Sequence, residues 1–303
     1  MPSHSAVSPT PTDAPPRRLA ALGRAIDAAM GPRLRSFPWR QTRDPWVILV
    51  AEVLLQQTQA QRVADRFDEI LELFGTPEAV VALGQAGVVE RWSGFGYNSR
   101  AVRLFRCAQT VVAVHGGVVP HRRDDLLALP GIGPYTAAAI RAFAFEEDVA
   151  VYDTNVARVI ARAALGAPVA AGASWATAQQ MVPNERGWHY NQAVLDFGAT
   201  ICTARRPACE RCPISRRCAY ARAGFSGDDP ARTTAGTARR QGTFRGSRRE
   251  ARGAIVEVLR QGPRTRQELQ EATGMHAHFD AALDGLIADG LVTSSTERLA
   301  LSN

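Results

Sequence analysis

A proline–glycine hairpin constrains this chain more than any other stretch. Residues 129–134 read Leu-Pro-Gly-Ile-Gly-Pro, and an alanine-rich segment with strong helix propensity follows. Gly131 and Gly133 permit a tight reversal without Cβ clashes, and Pro134 suits the first position of a helix, where a backbone N–H is not needed. The pattern predicts two short helices that meet at nearly bare backbone around Ile132. An ordinary helical turn that stops at a glycine would leave a similar pattern.

The start of the second helix is a candidate DNA contact. Its backbone amides would point outward and attract an anion such as a phosphate. A hairpin at Gly131–Gly133 would hold DNA by its backbone and read no sequence. The net charge of +7 and the pI of 9.7 favour a polyanionic partner. Charge alone is weak support, because many basic proteins bind no nucleic acid.

The composition limits both chemistry and location. The chain contains no lysine, and all 36 of its basic residues are arginine. A GC-rich gene explains such a bias, but in either case no side-chain amine can form a Schiff base. No apolar run approaches the ~20 residues that span a bilayer. Residues 1–16 are rich in proline and serine and lack the apolar core of a secretory signal. We therefore expect a disordered tail, no membrane contact, and action on DNA in the bacterial cytoplasm, associated with the nucleoid.

A predicted helix places a carboxylate among large apolar side chains. Asp44 is its expected N-cap, and the helix is predicted from Trp46 to about Val63. Glu52 is flanked by apolar residues there, so desolvation would raise its pKa unless it is partnered. The alternative is that Glu52 lies on the wet face of the helix. Polar residues that could hydrogen-bond base edges follow directly: Gln56, Gln57, Thr58 and Gln59.

Two further stretches carry candidate functional residues. Aromatic residues and an arginine alternate with glycine between Trp92 and Ala101, around Tyr97, and could wedge into a base stack. A tyrosine buried in a helix turn is the commoner alternative. Asp153 opens an apolar-periodic helix 18 residues beyond Tyr135. An N-cap and a catalytic carboxylate are both compatible with that position.

Four cysteines follow the pattern C-x6-C-x2-C-x5-C within 17 residues. Thiolates so closely spaced favour a metal centre over disulfides. Their spacing fits zinc as well as a [4Fe–4S] cluster. Cys107 lies far away in an apolar helix pattern and is predicted to be a core residue. The candidate metal ligands are Cys202, Cys209, Cys212 and Cys218.

The C-terminal part is predicted to be a separate module. Residues 224–247 are rich in Gly, Ser, Thr, Asp and Arg, which predicts a linker, and its arginines suit phosphate contacts. Residues 248–303 predict a winged helix-like module, which could bind DNA or dock on the first domain. Its three helical patterns and two strand candidates are 254–261, 266–273, 279–289, 291–294 and 298–301.

Together these features resemble the helix-hairpin-helix DNA glycosylases of the endonuclease III superfamily, and among them the MutY-type adenine glycosylases. The resemblance covers about residues 30–220 and rests on the hairpin, the aspartate after it and the cysteine spacing. It implies an all-α fold of two helical domains, spanning residues 17–223, with DNA in the cleft between them. It also implies a [4Fe–4S] cluster on the four cysteines and a monomer that binds double-stranded DNA with a mispaired base.

The resemblance also implies roles for single residues. Glu52 matches the general acid, Asp153 the shared catalytic aspartate, and Tyr135 the position where lyase members carry a nucleophilic lysine. Asn155 matches the asparagine of an Asp-Gly-Asn signature, although Thr154 replaces the glycine. The matches to base contacts are Trp39, Arg40 and Gln192 in the adenine pocket, with Gln57 and Tyr97 as wedge and intercalating residues.

The implied activity is monofunctional removal of adenine mispaired with 8-oxoguanine or guanine, in base excision repair. A thymine or uracil mismatch glycosylase of the same superfamily is an alternative, and a non-catalytic iron–sulfur DNA-binding regulator is another. Many MutY-type enzymes carry a MutT-like domain that reads 8-oxoguanine. Residues 224–303 are too short for that domain, so the strength of an 8-oxoguanine preference stays open.

Overall fold

The computed structural model describes residues 14–169, 171–234, 242–274, 277–295 and 297–302. Most of the predicted N-terminal tail lies outside these ranges, and so does part of the predicted linker. Within the described ranges the chain is mainly α-helical, as the sequence predicts, with one short β-hairpin near the C-terminus. None of the helices found there is long and apolar enough to cross a membrane.

Fifteen α-helices and two strands make up the described regular structure. In chain order they are α1 (Pro16–Met30), α2 (Pro45–Leu55), α3 (Ala60–Ala64), α4 (Phe67–Phe74), α5 (Pro77–Arg91), α6 (Ser99–His115), α7 (Arg123–Ala128), α8 (Pro134–Phe143), α9 (Thr154–Val159), α10 (Ala171–Gln179), α11 (Gly187–Thr200), α12 (Ala219–Arg222), α13 (Arg248–Arg260), α14 (Arg266–Thr273), α15 (Phe279–Ala288), β1 (Val292–Ser294) and β2 (Leu299–Leu301). A π-helical segment, Ile160–Leu165, continues α9.

The chain divides into two compact units. Unit 1 combines residues 1–36 with 138–239, and unit 2 combines residues 37–137 with 240–303. The C-terminal module therefore groups with residues 37–137, although the whole of residues 138–239 separates them in sequence. In unit 1, α1 buries the apolar residues that the sequence spaces along one helix face. Those residues are Leu19, Leu22, Ile26 and Met30.

The predicted helix from Trp46 to Val63 is interrupted. Asp44 caps it as expected, because its carboxylate accepts hydrogen bonds from the amides of Trp46 and Val47. However, α2 ends at Leu55, and α3 begins only at Ala60. The reason lies outside the segment: Arg100 donates to the carbonyl oxygens of Val53 and Leu54, at 2.8 and 2.7 Å. These two carbonyl oxygens therefore have hydrogen-bond donors without the amides of a further helical turn.

The predicted linker is partly folded. A 3-10 turn at Pro230–Arg232 buries Pro230 and Ala231 in unit 1. Thr234 is also buried, and its hydroxyl accepts a hydrogen bond from the amide of Val169 at 3.2 Å. The carboxylate of Asp229 pairs with Arg162. The linker prediction is therefore wrong for residues 229–234, because these contacts reach residues far away in sequence.

The C-terminal module follows its sequence pattern, except that α13 begins at Arg248 and not at residue 254. Three helices precede an antiparallel hairpin in which Thr293 faces Ala300. The module docks on α5, where Gln85 donates to the carbonyl oxygen of Gly290 at 2.6 Å. From α13, Arg260 donates to the carbonyl oxygen of Val89 at 3.1 Å. Docking, one of the two roles expected for the module, is thus part of the structure of unit 2.

Candidate functional site

In unit 1, Asp153 caps α9 and is held in one orientation. Its Oδ1 accepts hydrogen bonds from the amides of Asn155 and Val156, both at 2.8 Å, and its Oδ2 accepts one from Nδ2 of Asn155 at 2.6 Å. Burial raises the pKa of Asp153 above its usual range, although these hydrogen bonds and nearby Arg158 act in the opposite direction. The N-cap is confirmed, and a fixed, desolvated carboxylate is also suited to stabilising a cation.

Arg158 connects this aspartate to the cysteine region. It donates to Oδ1 of Asn155 at 2.7 Å and to the carbonyl oxygen of Gly198 at 2.8 Å. A longer contact, at 3.3 Å, runs from its Nε to the carbonyl oxygen of Cys202. The sequence analysis does not identify Arg158. Its only local signal is the spacing of three residues from Asn155, which puts both on one helix face.

Helix α11 fixes the segment that leads into Asp153. Asn191 accepts a hydrogen bond from the amide of Val151 at 2.8 Å and donates to the carbonyl oxygen of Val149 at 2.8 Å. Gln192, a predicted base contact, is buried beside it on the same helix. Asn191 is thus a positioning residue that sequence reasoning missed, because an asparagine inside a helix carries no local sign of such contacts.

The four cysteines of the predicted metal centre line one cavity in unit 1. All four are free thiols; Cys202 is buried and the other three are partly buried. The rest of the wall is largely apolar and includes Phe197 and Ile214. Among the described residues, no three His, Cys, Asp or Glu side chains are grouped closely enough to hold a single metal ion.

Burial changes the protonation of these thiols. Burial raises the pKa of all four, to about 11 for Cys212, and the neighbouring thiols add to the shift. They are therefore protonated at neutral pH unless a metal stabilises the thiolates, and loading the site must release protons. The donor set and its apolar surroundings are consistent with an iron–sulfur cluster.

Arg162 lines this cavity and hydrogen-bonds to residues around it. It is 3% exposed, and its guanidinium donates to Sγ of Cys202 at 3.5 Å and to the carbonyl oxygen of Thr203 at 2.7 Å. Two further hydrogen bonds, at 2.8 and 2.6 Å, reach the carboxylate of Asp229. The thiol of Cys218 donates to the carbonyl oxygen of Arg162 at 3.4 Å. Arg162 and Asp229 thus form a bidentate ion pair next to the predicted ligands.

In unit 2, the predicted hairpin joins α7 to α8. Gly131 has a φ of +82°, and a Cβ there would lie 2.8 Å from Cβ of Arg103, so glycine is required. Ile132 is buried and anchors the turn. Gly133 differs, because its φ is not positive and a Cβ there would have no neighbour within 4 Å. The protein itself does not require glycine at 133, and the bare backbone leaves space for a partner.

Glu52 and Tyr135 are two other predicted site residues of unit 2, and each lies on a helix. Glu52 is only 5% exposed and lies between buried Ala51 and Val53 on α2. The predicted desolvated carboxylate is therefore confirmed, and the wet-face alternative is wrong. Tyr135 is partly exposed in the first turn of α8.

Trp39 and Arg40 are both predicted base contacts. Both lie in a 3-10 turn, Pro38–Arg40, and both are buried. The ring of Trp39 stacks on Phe37 at 4.7 Å and meets Phe67 edge-on at 5.7 Å. Their place in the adenine pocket stays a prediction. A short turn has no hydrophobic period from which burial could be predicted.

Two loops of unit 2 carry the predicted wedge residues. Gln57 follows α2, Tyr97 precedes α6, and both are exposed with left-handed φ values of 60° and 47°. Such values are uncommon for residues other than glycine and mark locally strained backbone. Gln56 and Thr58 flank the first position and are partly buried.

Arg100 holds these two loops together. It is 3% exposed and donates to Oγ1 of Thr58 and to the carbonyl oxygens of Phe95 and Gly96, at 2.9–3.0 Å, besides the two carbonyls at the end of α2. Desolvation lowers its pKa to about 10, so it remains charged at neutral pH. The expectation that an arginine of this stretch wedges into a base stack is wrong for Arg100. Thr58 likewise uses its hydroxyl inside the protein.

The fold and the cysteine loop define a class of protein. Residues 50–171 match the family described as HhH-GPD superfamily base excision DNA repair protein. Residues 202–218, from the first to the last ligand cysteine, match the iron-sulfur binding domain of endonuclease III. A solved structure of a thermostable thymine-DNA glycosylase superposes with a TM-score of 0.64 at 32% identity, and the match covers 70% of this chain and all of that one.

Curated relatives narrow the class. The adenine DNA glycosylase of Mycolicibacterium smegmatis is 40% identical over 276 residues, which span 88% of this chain and 92% of the relative. A thymine/uracil-DNA glycosylase of Methanothermobacter thermautotrophicus is 37% identical over 191 residues, 61% of this chain and 86% of the relative. The chain belongs to the HhH-GPD superfamily of base excision DNA repair proteins and, within it, to the family of the adenine DNA glycosylases.

Proposed function

We propose that this chain is a monofunctional DNA glycosylase that removes adenine mispaired with 8-oxoguanine or guanine. It would act as a monomer on double-stranded DNA of the bacterial nucleoid. The observation that carries the proposal is the carboxyl group of Glu52, which is buried on α2 between Ala51 and Val53. A buried carboxyl group is a candidate general acid for a leaving base.

The mechanism assigns separate tasks to two carboxyl groups. A base inside a duplex cannot be reached, so the target nucleotide is flipped out, which mispairing makes easier. Glu52 donates a proton to N7 of adenine, and the base becomes a leaving group. Asp153, oriented by Asn155, stabilises the positive charge that develops at C1′. Water then attacks C1′ and gives a proton to the ionised Glu52, which restores the proton that adenine took. No imine forms, because the chain has no lysine.

The remaining predicted residues support binding. The open backbone at Gly133 and the first amides of α8 would accept a phosphate of the DNA. The thiolates of the four cysteines would hold the iron–sulfur cluster, which crosslinks the loop 202–218 when bound. Arg205 and Arg206 are exposed in that loop and suit phosphate contacts.

A thymine or uracil mismatch glycosylase is the second candidate. It is supported by the archaeal relative and by the superposed thymine-DNA glycosylase. Adenine is favoured by the extent of the mycobacterial match, which covers 88% of the chain. Residues 1–247 alone would cover a smaller fraction of the 303 residues. That match must therefore extend into the C-terminal module, which the archaeal match, at 61% of the chain, need not include.

Excision assays on defined mispairs test the proposal. Purified protein is incubated with duplexes that carry A·8-oxoG, A·G, T·G or U·G, and hot alkali then cleaves abasic sites. We expect cleavage at adenine only, and a loss of at least ~10²-fold in rate for Glu52→Gln with duplex binding retained. Glu72→Gln, an exposed carboxylate of α4, is the matched control. Release of thymine or uracil, or a wild-type rate in Glu52→Gln, would contradict the proposal.

A further inference from the structure

Unit 1 contains a second cavity, of about 200 Å³, which shares no lining residue with the cysteine cavity. One wall is the first half of α1, and the other is the segment around the last ligand cysteine. Both walls belong to unit 1. We refer to this space as the arginine cavity. Its lining residues are Arg18, Ala21, Leu22, Arg216, Arg217 and Arg222.

The backbone of both walls is fixed by the fold. Leu22 of α1 and Ile214 of the cysteine loop are both buried in the apolar core of unit 1. The amide of Arg217 donates to the carbonyl oxygen of Ile214 at 2.9 Å, and the amide of Arg222 donates to that of Cys218 at 3.0 Å. The arginines of the cavity therefore extend from backbone that is held in place.

All charged groups in this lining have the same sign. Its four arginines stay protonated at neutral pH, and no acid lies among the lining residues. Within the described part of the chain, none of these four side chains has an ion pair or a hydrogen bond. Other arginines of unit 1 do, as in the pairs Arg35–Asp196 and Arg186–Asp27. Cations that converge in this way repel one another until an anion lies between them.

The number of charges and the concave shape indicate the class of anion. A guanidinium is planar and binds phosphate oxygens through two parallel N–H groups. A phosphodiester of a DNA duplex offers only one negative charge and would leave most of the positive charge uncompensated. A pyrophosphate or triphosphate group concentrates several negative charges in a compact volume. Arg18 also lies in the first turn of α1, where the helix dipole favours an anion.

We propose that the arginine cavity binds a compact di- or triphosphate group, such as inorganic pyrophosphate or a nucleoside triphosphate carries. Arg18 contacts this group from α1, and Arg217 and Arg222 contact it from the opposite wall. Cys218 lies between the last two in sequence, so the bound group restrains the end of the cysteine loop against α1. Because the ligand binds only the folded chain, it should raise the melting temperature. The site does not depend on the excision chemistry.

Calorimetric titration of the full-length, cluster-loaded protein tests the site. Pyrophosphate, ATP and orthophosphate are titrated separately at constant ionic strength, without divalent cations. We expect stoichiometric binding of pyrophosphate and at least ~10-fold weaker binding of orthophosphate, which offers fewer charged oxygens. Arg18→Gln and Arg217→Gln should each weaken pyrophosphate binding roughly 10- to 150-fold, the scale of one hydrogen bond to a charged group. Each should also reduce the rise in melting temperature.

The ATP titration distinguishes the two sources of the polyphosphate group. Tighter binding of ATP than of pyrophosphate indicates a nucleotide, and equal affinity indicates the free polyphosphate. Either result supports the site. Equal affinity for orthophosphate and pyrophosphate would overturn it, and so would a wild-type chain that binds neither pyrophosphate nor ATP.

Matched controls come from the same two walls. Arg24→Gln on α1 and Arg211→Gln in the cysteine loop remove exposed arginines that do not line the cavity. Both change the net charge as the cavity variants do, and both should bind pyrophosphate as the wild type does. Equal losses in controls and cavity variants would mean diffuse attraction and would refute a defined site.

A fully paired duplex distinguishes this site from a DNA contact. We expect Arg18→Gln and Arg217→Gln to bind that duplex as the Arg24→Gln control does. If the duplex displaces pyrophosphate, and the two cavity variants lose more duplex affinity than the controls, the cavity binds a DNA phosphate and the proposal is wrong.

Discussion

Arg100 should control both stability and DNA binding, although it touches no predicted reacting atom. Arg100→Met removes its hydrogen bonds to four carbonyl oxygens and one hydroxyl and retains most of the apolar volume. Each such bond contributes about 0.5–1.5 kcal/mol net, so their sum reaches several kcal/mol. Removing a buried cation recovers part of its desolvation. We therefore expect the free energy of unfolding to fall by about 3 kcal/mol.

Denaturant unfolding followed by circular dichroism measures this change. Without Arg100 the loops of Gln57 and Tyr97 can leave their left-handed conformations, each of which costs about 1–3 kcal/mol. Affinity for a mispaired duplex should therefore fall at least tenfold under conditions where the variant is folded. Arg106→Met, on the exposed side of the same helix, is the control. A variant of Arg100 that unfolds within about 0.5 kcal/mol of wild type, with normal binding, would refute the reasoning.

Two further variants examine unit 1. Asp153→Asn should lose excision, because a neutral amide cannot stabilise a cation, yet it should unfold at higher temperature at pH 7. The expected gain in stability follows from the raised pKa of Asp153. At pH values above the pKa that Asp153 has in the unfolded chain, its buried carboxylate destabilises the fold, so the gain from a neutral amide should shrink as pH falls. Asp229→Ala leaves Arg162 buried without its carboxylate, which should cost about 3 kcal/mol and reduce iron content below that of an Asp228→Ala control. Unchanged melting in the first variant, or full iron content in the second, would count against these assignments.

Local patterns predict the parts of the fold whose causes are local. Helices α14 and α15 begin and end near their predicted positions because hydrophobic period and capping residues act within one segment, as at the Thr265–Glu268 capping box. The predicted start of α13 at residue 254 is wrong, because Ser247 caps this helix and it begins at Arg248. The burial of Glu52 is predictable for the same reason, since its apolar neighbours surround it on its own helix. The cysteine loop is predictable because its ligands are close in sequence.

The remaining features depend on partners that are distant in the chain. The end of α2 at Leu55 is set by Arg100, and no glycine or proline marks the break. Residues 229–234 have the composition of a linker, but Asp229 finds Arg162, 67 residues away. The choice of a cluster over zinc follows from the family, and the apolar cavity around the thiols then agrees with it. Sequence patterns carry little information about such pairings.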